Sequence, residues 1–367
     1  MKYFLIAGEA SGDLHGANLM VALKKLDPKA EFAYWGGDRM ESVAEGLQKH
    51  YREIALMGFV EVLMNLRKIY AHLNLCKNQI KAFNPDVVIL IDFPGFNLRI
   101  AEYCKLAGYI KVVYYIAPKV WAWKENRVKK LEKYVDLLLL IFPFEINYFK
   151  QWKVNAVYCG NPLQDEISAL PPAQDFKQKH NLDNRPLITL MPGSRKQEIK
   201  RMLPEMLKIT PQFPAYQFLI AGAPGLNPAF YAPYLRNQEQ IVFNETYALL
   251  KNSDAAIVCS GTATLETALL NVPQVCGYAG NPVSFAIARR LVKIRFISLV
   301  NLCLGRESIR ELIQQEYTAA NLESELQSIL PGGSRHETIL ADYAELNRLL
   351  GGAGASMKAA EAIAKLP

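Results

Sequence analysis

Apolar residues along this chain fall in short, near-continuous runs rather than in alternating stripes. Tyr3 to Ala7, Phe32 to Trp35, Asp86 to Asp92, Lys111 to Ile116, Asp136 to Phe142 and Val154 to Tyr158 are such runs. Most are closed by Gly, Pro, Asn or Asp, and stretches of helical periodicity such as Ala17 to Leu26 lie between them. Run, turn and helix in repetition predict parallel strands covered on both faces, an α/β architecture. The pattern restarts after a polar stretch from Ser168 to Arg185 that contains Pro171-Pro172, as an interdomain linker would. Leu187 to Met191, Gln217 to Ala221, Gln240 to Phe243, Ala255 to Cys259 and Gln274 to Gly277 are the strands of the second half. The expected fold is therefore two Rossmann-like, doubly wound domains facing a cleft. The first spans residues 1–167 and the second 168–345. The remainder, 346–367, is a helical tail interrupted by Gly351-Gly352, and it is expected to return to the first domain.

Open α/β sheets take their ligands at the C-terminal ends of their strands, so the residues at those ends carry the candidate chemistry. The first strand runs into Gly8, Ser11 and Gly12, small residues that form either a floor for a sugar or phosphate or a turn needing glycine for backbone reasons. The spacing is G-x3-G-x3-G, which does not support a dinucleotide site. The clearest strand ends in Asp92-Phe93-Pro94-Gly95-Phe96-Asn97. Asp92 is there either as a general base, its pKa lifted by partial burial, or as a helix cap. Trp121 and Trp123 follow the next strand and suit a sugar or lipid platform, or a plug between domains.

In the second half, Gly193-Ser194-Arg195 puts an always-charged fork at a helix start. Ser260-Gly261-Thr262-Ala263-Thr264 turns from strand to helix, with Glu266 in the first helical turn. That geometry aims free backbone N–H groups at an anion, although an ordinary capped helix has the same sequence. Together these residues describe a nucleoside diphosphate site. No D-x-D occurs, so Arg195 and the helix end would meet the charge of a departing diphosphate. Tyr278 lies just beyond a strand, and Ser298 to Glu307 reads as a loop with polar handles at Asn301 and Arg306.

One segment does not fit a simple helix. Leu56, Met57, Phe59, Val60, Leu63 and Leu66, with Val62 and Met64, cover most of a helix circumference, and Arg67 and Lys68 flank them. Such a segment lies in a membrane interface, lines a pocket for acyl chains, or is buried between a sheet and a neighbour.

Composition narrows the classes. The chain has 367 residues, 51% hydrophobic and 21% charged, which excludes disorder and suits two domains. A net charge of +7 suits an anionic ligand or membrane surface and is too small to argue for nucleic acid. Six scattered cysteines without a CxxC pair fit a reducing cytoplasm, and five histidines without metal spacing give no metal site and no cofactor. The first residues carry an apolar run too short for a signal peptide, and no run of 18 apolar residues spans a bilayer.

The motifs Gly8-Glu-Ala-Ser-Gly-Asp13, Ile91-Asp-Phe-Pro-Gly-Phe-Asn97, Pro118-Lys-Val-Trp-Ala-Trp123, Pro192-Gly-Ser-Arg195, Ser260-Gly-Thr-Ala-Thr-Leu-Glu266 and Asn301 with Gly305-Arg306, in this order, resemble the lipid-A-disaccharide synthase family over nearly the whole chain. The resemblance implies a GT-B glycosyltransferase at the inner membrane surface, moving 2,3-diacylglucosamine from its UDP derivative to the 6-hydroxyl of 2,3-diacylglucosamine 1-phosphate with inversion. It implies Asp92 as the essential aspartate and Arg195 as the essential arginine on the donor diphosphate. Ser260 to Thr264 and Glu266 would form the nucleotide site, Asn301 and Arg306 further polar contacts, and the 56–70 helix the membrane-contacting region. The implied partners are an acylated UDP-sugar, an acylated sugar phosphate and the membrane, with a homodimer left open. Lys119 departs from the family's pattern and bears on the acceptor side. A UDP-sugar epimerase of the same fold and a non-catalytic UDP-sugar-binding protein are the rival readings.

Overall fold

The computed structural model describes residues 1–54, 66–122, 125–172, 175–235, 240–282, 285, 289–290, 292 and 294–366. Two compact units emerge, Met1–Asp165 with Leu350–Pro367, and Glu166–Leu349.

The first unit opens with β1 (Lys2–Ala7), α1 (Ala10–Leu26), β2 (Glu31–Gly36) and β3 (Leu47–His50). It continues through α2 (Leu66–Phe83), β4 (Val87–Ile91), α3 (Pro94–Ala107), β5 (Lys111–Tyr115), β6 (Leu137–Leu140) and β7 (Ala156–Tyr158). All neighbouring strands pair in parallel, in the order β3-β2-β1-β4-β5-β6-β7. Every residue of β4 is fully buried, because helices cover both faces of the sheet. The chain winds away from β1 on one side, then returns to its other side at β4. That reversal is the switch point at which such sheets bind ligands. The register Ala7↔Ile91 and Ile91↔Tyr115 brings β1, β4 and β5 to a common level, so Gly8, Asp92 and Ile116 leave the sheet side by side.

The second unit repeats the plan with β8 (Leu187–Met191), α4 (Lys196–Lys208), β9 (Gln217–Gly222), β10 (Gln240–Phe243), β11 (Ala255–Cys259), α5 (Thr262–Leu269), β12 (Gln274–Tyr278), α6 (Leu299–Leu304), β13 (Glu311–Ile313) and α7 (His336–Leu350). Its strands are ordered β10-β9-β8-β11-β12-β13, again parallel, with the switch point between β8 and β11. The last helix, α8 (Ala355–Ala364), packs on α1 in the first unit. Asp165 holds its start by accepting from the N–H groups of Ala355 and Ser356 at 3.1 and 3.0 Å.

Three local expectations change. Ser298 to Glu307 is not a loop. The Ser298 hydroxyl caps α6 by accepting from Asn301 N at 3.2 Å, and Gly305 ends it at φ 68°. The edge strand β3 escaped the sequence pattern because it is polar and only half-buried. The glycine-rich stretch after β1 is mostly helix, since α1 begins at Ala10. Leu56, Met57, Phe59, Val60 and Leu63 lie outside the described residues, as does the side chain of Leu66.

Candidate active site

Asp92 follows β4 directly, and its backbone is unusual. Asp92 and Phe93 both sit in the left-handed region, at φ 43° and 48°, a conformation side chains other than glycine seldom adopt. Strain of this kind persists only where the surroundings over-determine it. Here Asp92 N donates to the Tyr115 carbonyl at 3.1 Å. Its own carbonyl accepts from the Tyr114 hydroxyl at 2.6 Å and from Asn97 Nδ2 at 2.8 Å. The next helix is capped at Phe93 without a side-chain bond, so Asp92 is not a helix cap. Its carboxyl is pushed up to about 6, first by burial and then by the negative charge of Glu9, against the pull of Lys119.

The neighbours have distinct tasks. A Cβ on Gly8 would stand 2.5 Å from the Phe93 ring, so Gly8 makes room for the turn that carries Asp92. Gly12 is buried in α1, where a Cβ would press on Ala7 at 3.2 Å; it is a packing glycine and offers no floor to a sugar. Ser11 is exposed and donates to Glu9 Oε1 at 2.6 Å. Asn97 is fully buried, and its amide ties the ends of β1 and β4 through Ile6, Ile91 and Asp92 carbonyls. Its amide nitrogen thereby braces the backbone of Asp92. Asp13, which the sequence showed only as the end of the Gly8-Glu-Ala-Ser-Gly-Asp13 motif, is buried and accepts from Gly37, Arg39 and Met40 N–H groups at 2.6 to 3.2 Å, fixing the turn after β2.

In the second unit, Gly193 sits at φ 116°, and a Cβ there would lie 2.7 Å from Glu198. Glu198 takes the place of an anion. Its Oε2 accepts from Ser194 N and Arg195 N, both at 3.1 Å, and its Oε1 from Arg195 Nη1 at 2.9 Å. Arg195 is otherwise open, its side chain 80% exposed. A bound phosphate would compete with Glu198 for the same donors. Glu198 lies three residues past Arg195, the spacing of a capping box, and that spacing was the signal available in the sequence.

On the adjoining strand, Ser260 Oγ donates to the Ile297 carbonyl at 3.0 Å. Gly261 and Thr262 are exposed, Ala263 is half-buried, and among the described residues no atom beyond its chain neighbours lies within 4 Å of a Cβ placed on Gly261. The start of α5 is thus accessible, with the unpaired N–H groups any helix leaves at its first turn. Thr264 is fully buried and its hydroxyl donates to the Gly261 carbonyl at 2.8 Å, bracing the turn rather than reaching outward. The Glu266 carboxyl is pushed up to about 7 by burial and secondarily by Glu166. Tyr278 is half-buried and its phenol is raised, chiefly by burial.

Two expected site residues are engaged elsewhere. Asn301 is fully buried. Its Nδ2 donates to the Ile309 carbonyl and Glu311 Oε1 at 2.8 and 2.9 Å, and its Oδ1 accepts from Ser308 N and Ile309 N at 2.8 and 3.0 Å. An amide has two donors and two acceptor positions, so none is left for a ligand. Arg306 spends its guanidinium on α7, donating to Asp342 at 2.6 Å and to both Glu345 oxygens at 3.1 and 2.6 Å. Both residues hold the second unit together.

A family model described as lipid-A-disaccharide synthetase matches residues 3–365. The chain belongs to the lipid-A-disaccharide synthase family. A lipid-A-disaccharide synthase of Geobacter metallireducens is 35% identical over 98% of this chain and 95% of its own length. Solved structures extend the likeness to fold alone. The glycotransferase of kitacinnamycin superposes with a TM-score of 0.66 at 12% identity, covering 100% of this chain and 99% of that one. A UDP-GlcNAc 2-epimerase from Neisseria meningitidis gives 0.58 at 12%, with coverage of 100% and 99%. Transferases and epimerases thus share this two-unit architecture. Membership of the lipid-A-disaccharide synthase family, not the fold, makes this chain a glycosyltransferase of lipid A synthesis.

Proposed function

We propose that the chain transfers 2,3-diacylglucosamine from its UDP derivative to the 6-hydroxyl of 2,3-diacylglucosamine 1-phosphate, with Asp92 as the base. The observation that carries the role of Asp92 is its strained, buried placement at the switch point of the first unit. A carboxyl near 6 is largely ionised at neutral pH yet more basic than an ordinary aspartate. It takes the proton of the acceptor hydroxyl as that oxygen bonds to the anomeric carbon. The bond from that carbon to the diphosphate breaks, UDP departs, and the configuration inverts. On the donor side, Arg195 leaves Glu198 for the diphosphate, whose growing charge is met by the guanidinium and by the start of α5.

Both substrates carry acyl chains, which fits a protein that works at a membrane surface. Among the described residues no helix is long and apolar enough to cross a membrane. Arg67, Lys68 and Tyr70 are exposed at the start of α2 and suit contact with anionic headgroups. The catalytic assignment is tested with Asp92→Asn. It is expected to lower kcat by about 10²–10⁴-fold with UDP affinity unchanged. An equal loss of UDP affinity would assign Asp92 to the donor instead.

A further inference from the structure

Glu145 is a buried acid, 1% exposed, and among the described residues no cation pairs with it. Neutral donors satisfy it. Trp121 Nε1 donates to its Oε1 at 3.0 Å, and Phe142 N donates to its Oε2 at 3.1 Å. The bond from Phe142 N is the capping-box contact that starts the helix Pro143–Phe149, whereas the bond from the indole lies outside the cap and ties Trp121 to it. The indole it holds is half-buried and stands edge-on to Phe144 at 4.8 Å, which stacks on Phe142 at 5.6 Å. The ring is therefore fixed from two sides.

The loop that bears Trp121 is fixed as well. It leaves β5 through Ile116, a β-branched residue at φ 66°, whose N–H donates to the Leu139 carbonyl at 3.2 Å. β5 pairs with β4, and Asp92 is bonded to both Tyr114 and Tyr115. Lys119, two residues before Trp121, is exposed and draws down both the Asp92 and the Glu145 carboxyls, so all three share one electrostatic neighbourhood.

We propose that Glu145 is a positioning residue that sets the plane of the Trp121 ring, and that this ring takes the apolar face of the acceptor sugar beside Asp92. The inference rests on the acceptor role given to Asp92 above. A tryptophan with its N–H spent inward presents only its π face and edge, the surface that packs on a sugar's C–H groups. Glu145 does not touch substrate.

The test compares Trp121→Phe, Glu145→Gln and the double variant in the full chain. Each single substitution is expected to raise the KM for diacylglucosamine 1-phosphate about fivefold, the scale of one ordinary intramolecular hydrogen bond. The KM for UDP-diacylglucosamine should stay within about twofold, and the double variant should be no worse than the singles, because both remove one contact. Unchanged acceptor KM in folded variants, equal rises for both substrates, or multiplicative losses would each overturn the proposal. If Glu145→Gln does not fold, the decision passes to indole fluorescence. Acceptor alone, without donor, should change the emission of the wild-type chain and not that of Trp121→Phe; identical responses would overturn the proposal. That reading needs no turnover, so it stands apart from the disaccharide assay that tests the function itself.

Discussion

Asp92→Asn should make the protein more stable while it destroys turnover. Folding moves the Asp92 carboxyl from its ordinary 3.8 to about 6, chiefly through burial. At neutral pH the ionised side chain is therefore held in the native state at a cost of up to about 3 kcal/mol. The sign follows from proton binding. Between about pH 4 and pH 6 the folded chain binds more protons at this site than the unfolded chain, so wild-type stability falls as pH rises through that window. Asparagine carries no charge and also accepts the left-handed backbone more readily, which adds in the same direction. For a unit of this size, about 3 kcal/mol corresponds to a rise in Tm of about 6–12 °C. Thermal unfolding followed by circular dichroism from pH 4.5 to pH 8 measures it. The gap between variant and wild type should be largest above pH 7 and shrink towards pH 4.5. Equal Tm values at pH 8, or a gap that ignores pH, would refute the claim that burial at Asp92 is a stored cost of the catalytic site.

Three further outcomes are expected. Arg195→Ala should weaken UDP binding and slow transfer together, by about tenfold or more each, because the diphosphate gains charge as it leaves; calorimetric titration with UDP and steady-state rates check this. Asn301→Ala should cost about 3 kcal/mol of stability in chemical denaturation, since it strands the N–H groups of Ser308 and Ile309, and should leave donor KM in the surviving folded fraction near wild type. Arg67→Ala with Lys68→Ala should weaken binding to anionic vesicles by about 2 kcal/mol, roughly thirtyfold, in a sedimentation assay, and raising salt should erase the difference.

The strands and their order of function were legible because parallel strands buried on both faces leave near-continuous apolar runs in the sequence. Val87 to Ile91 is the clearest case, and the acid that ends it is where the structure stores backbone strain. The polar edge strand Leu47–His50 left no such trace. Asn301 and Arg306 show a different limit. A buried asparagine that knits a helix to a strand and one that binds a ligand are the same letter, and only the four hydrogen bonds around Asn301 tell them apart. Glycines divide in the same way. Gly193 answers to a positive φ and a close carboxylate, whereas Gly12 answers to helix-on-strand packing. Pro143 at the helix start and Glu145 two residues on have the spacing of a capping box, but that spacing says nothing of the indole on the other carboxylate oxygen.

The most direct test of the account is mass spectrometry of the product formed by the purified chain from UDP-diacylglucosamine and diacylglucosamine 1-phosphate. The expected result is a disaccharide phosphate whose mass is that of the two substrates together less one UDP, with one UDP released per product. A UDP-sugar of unchanged mass but altered configuration, or bound UDP-sugar with no product at all, would contradict it.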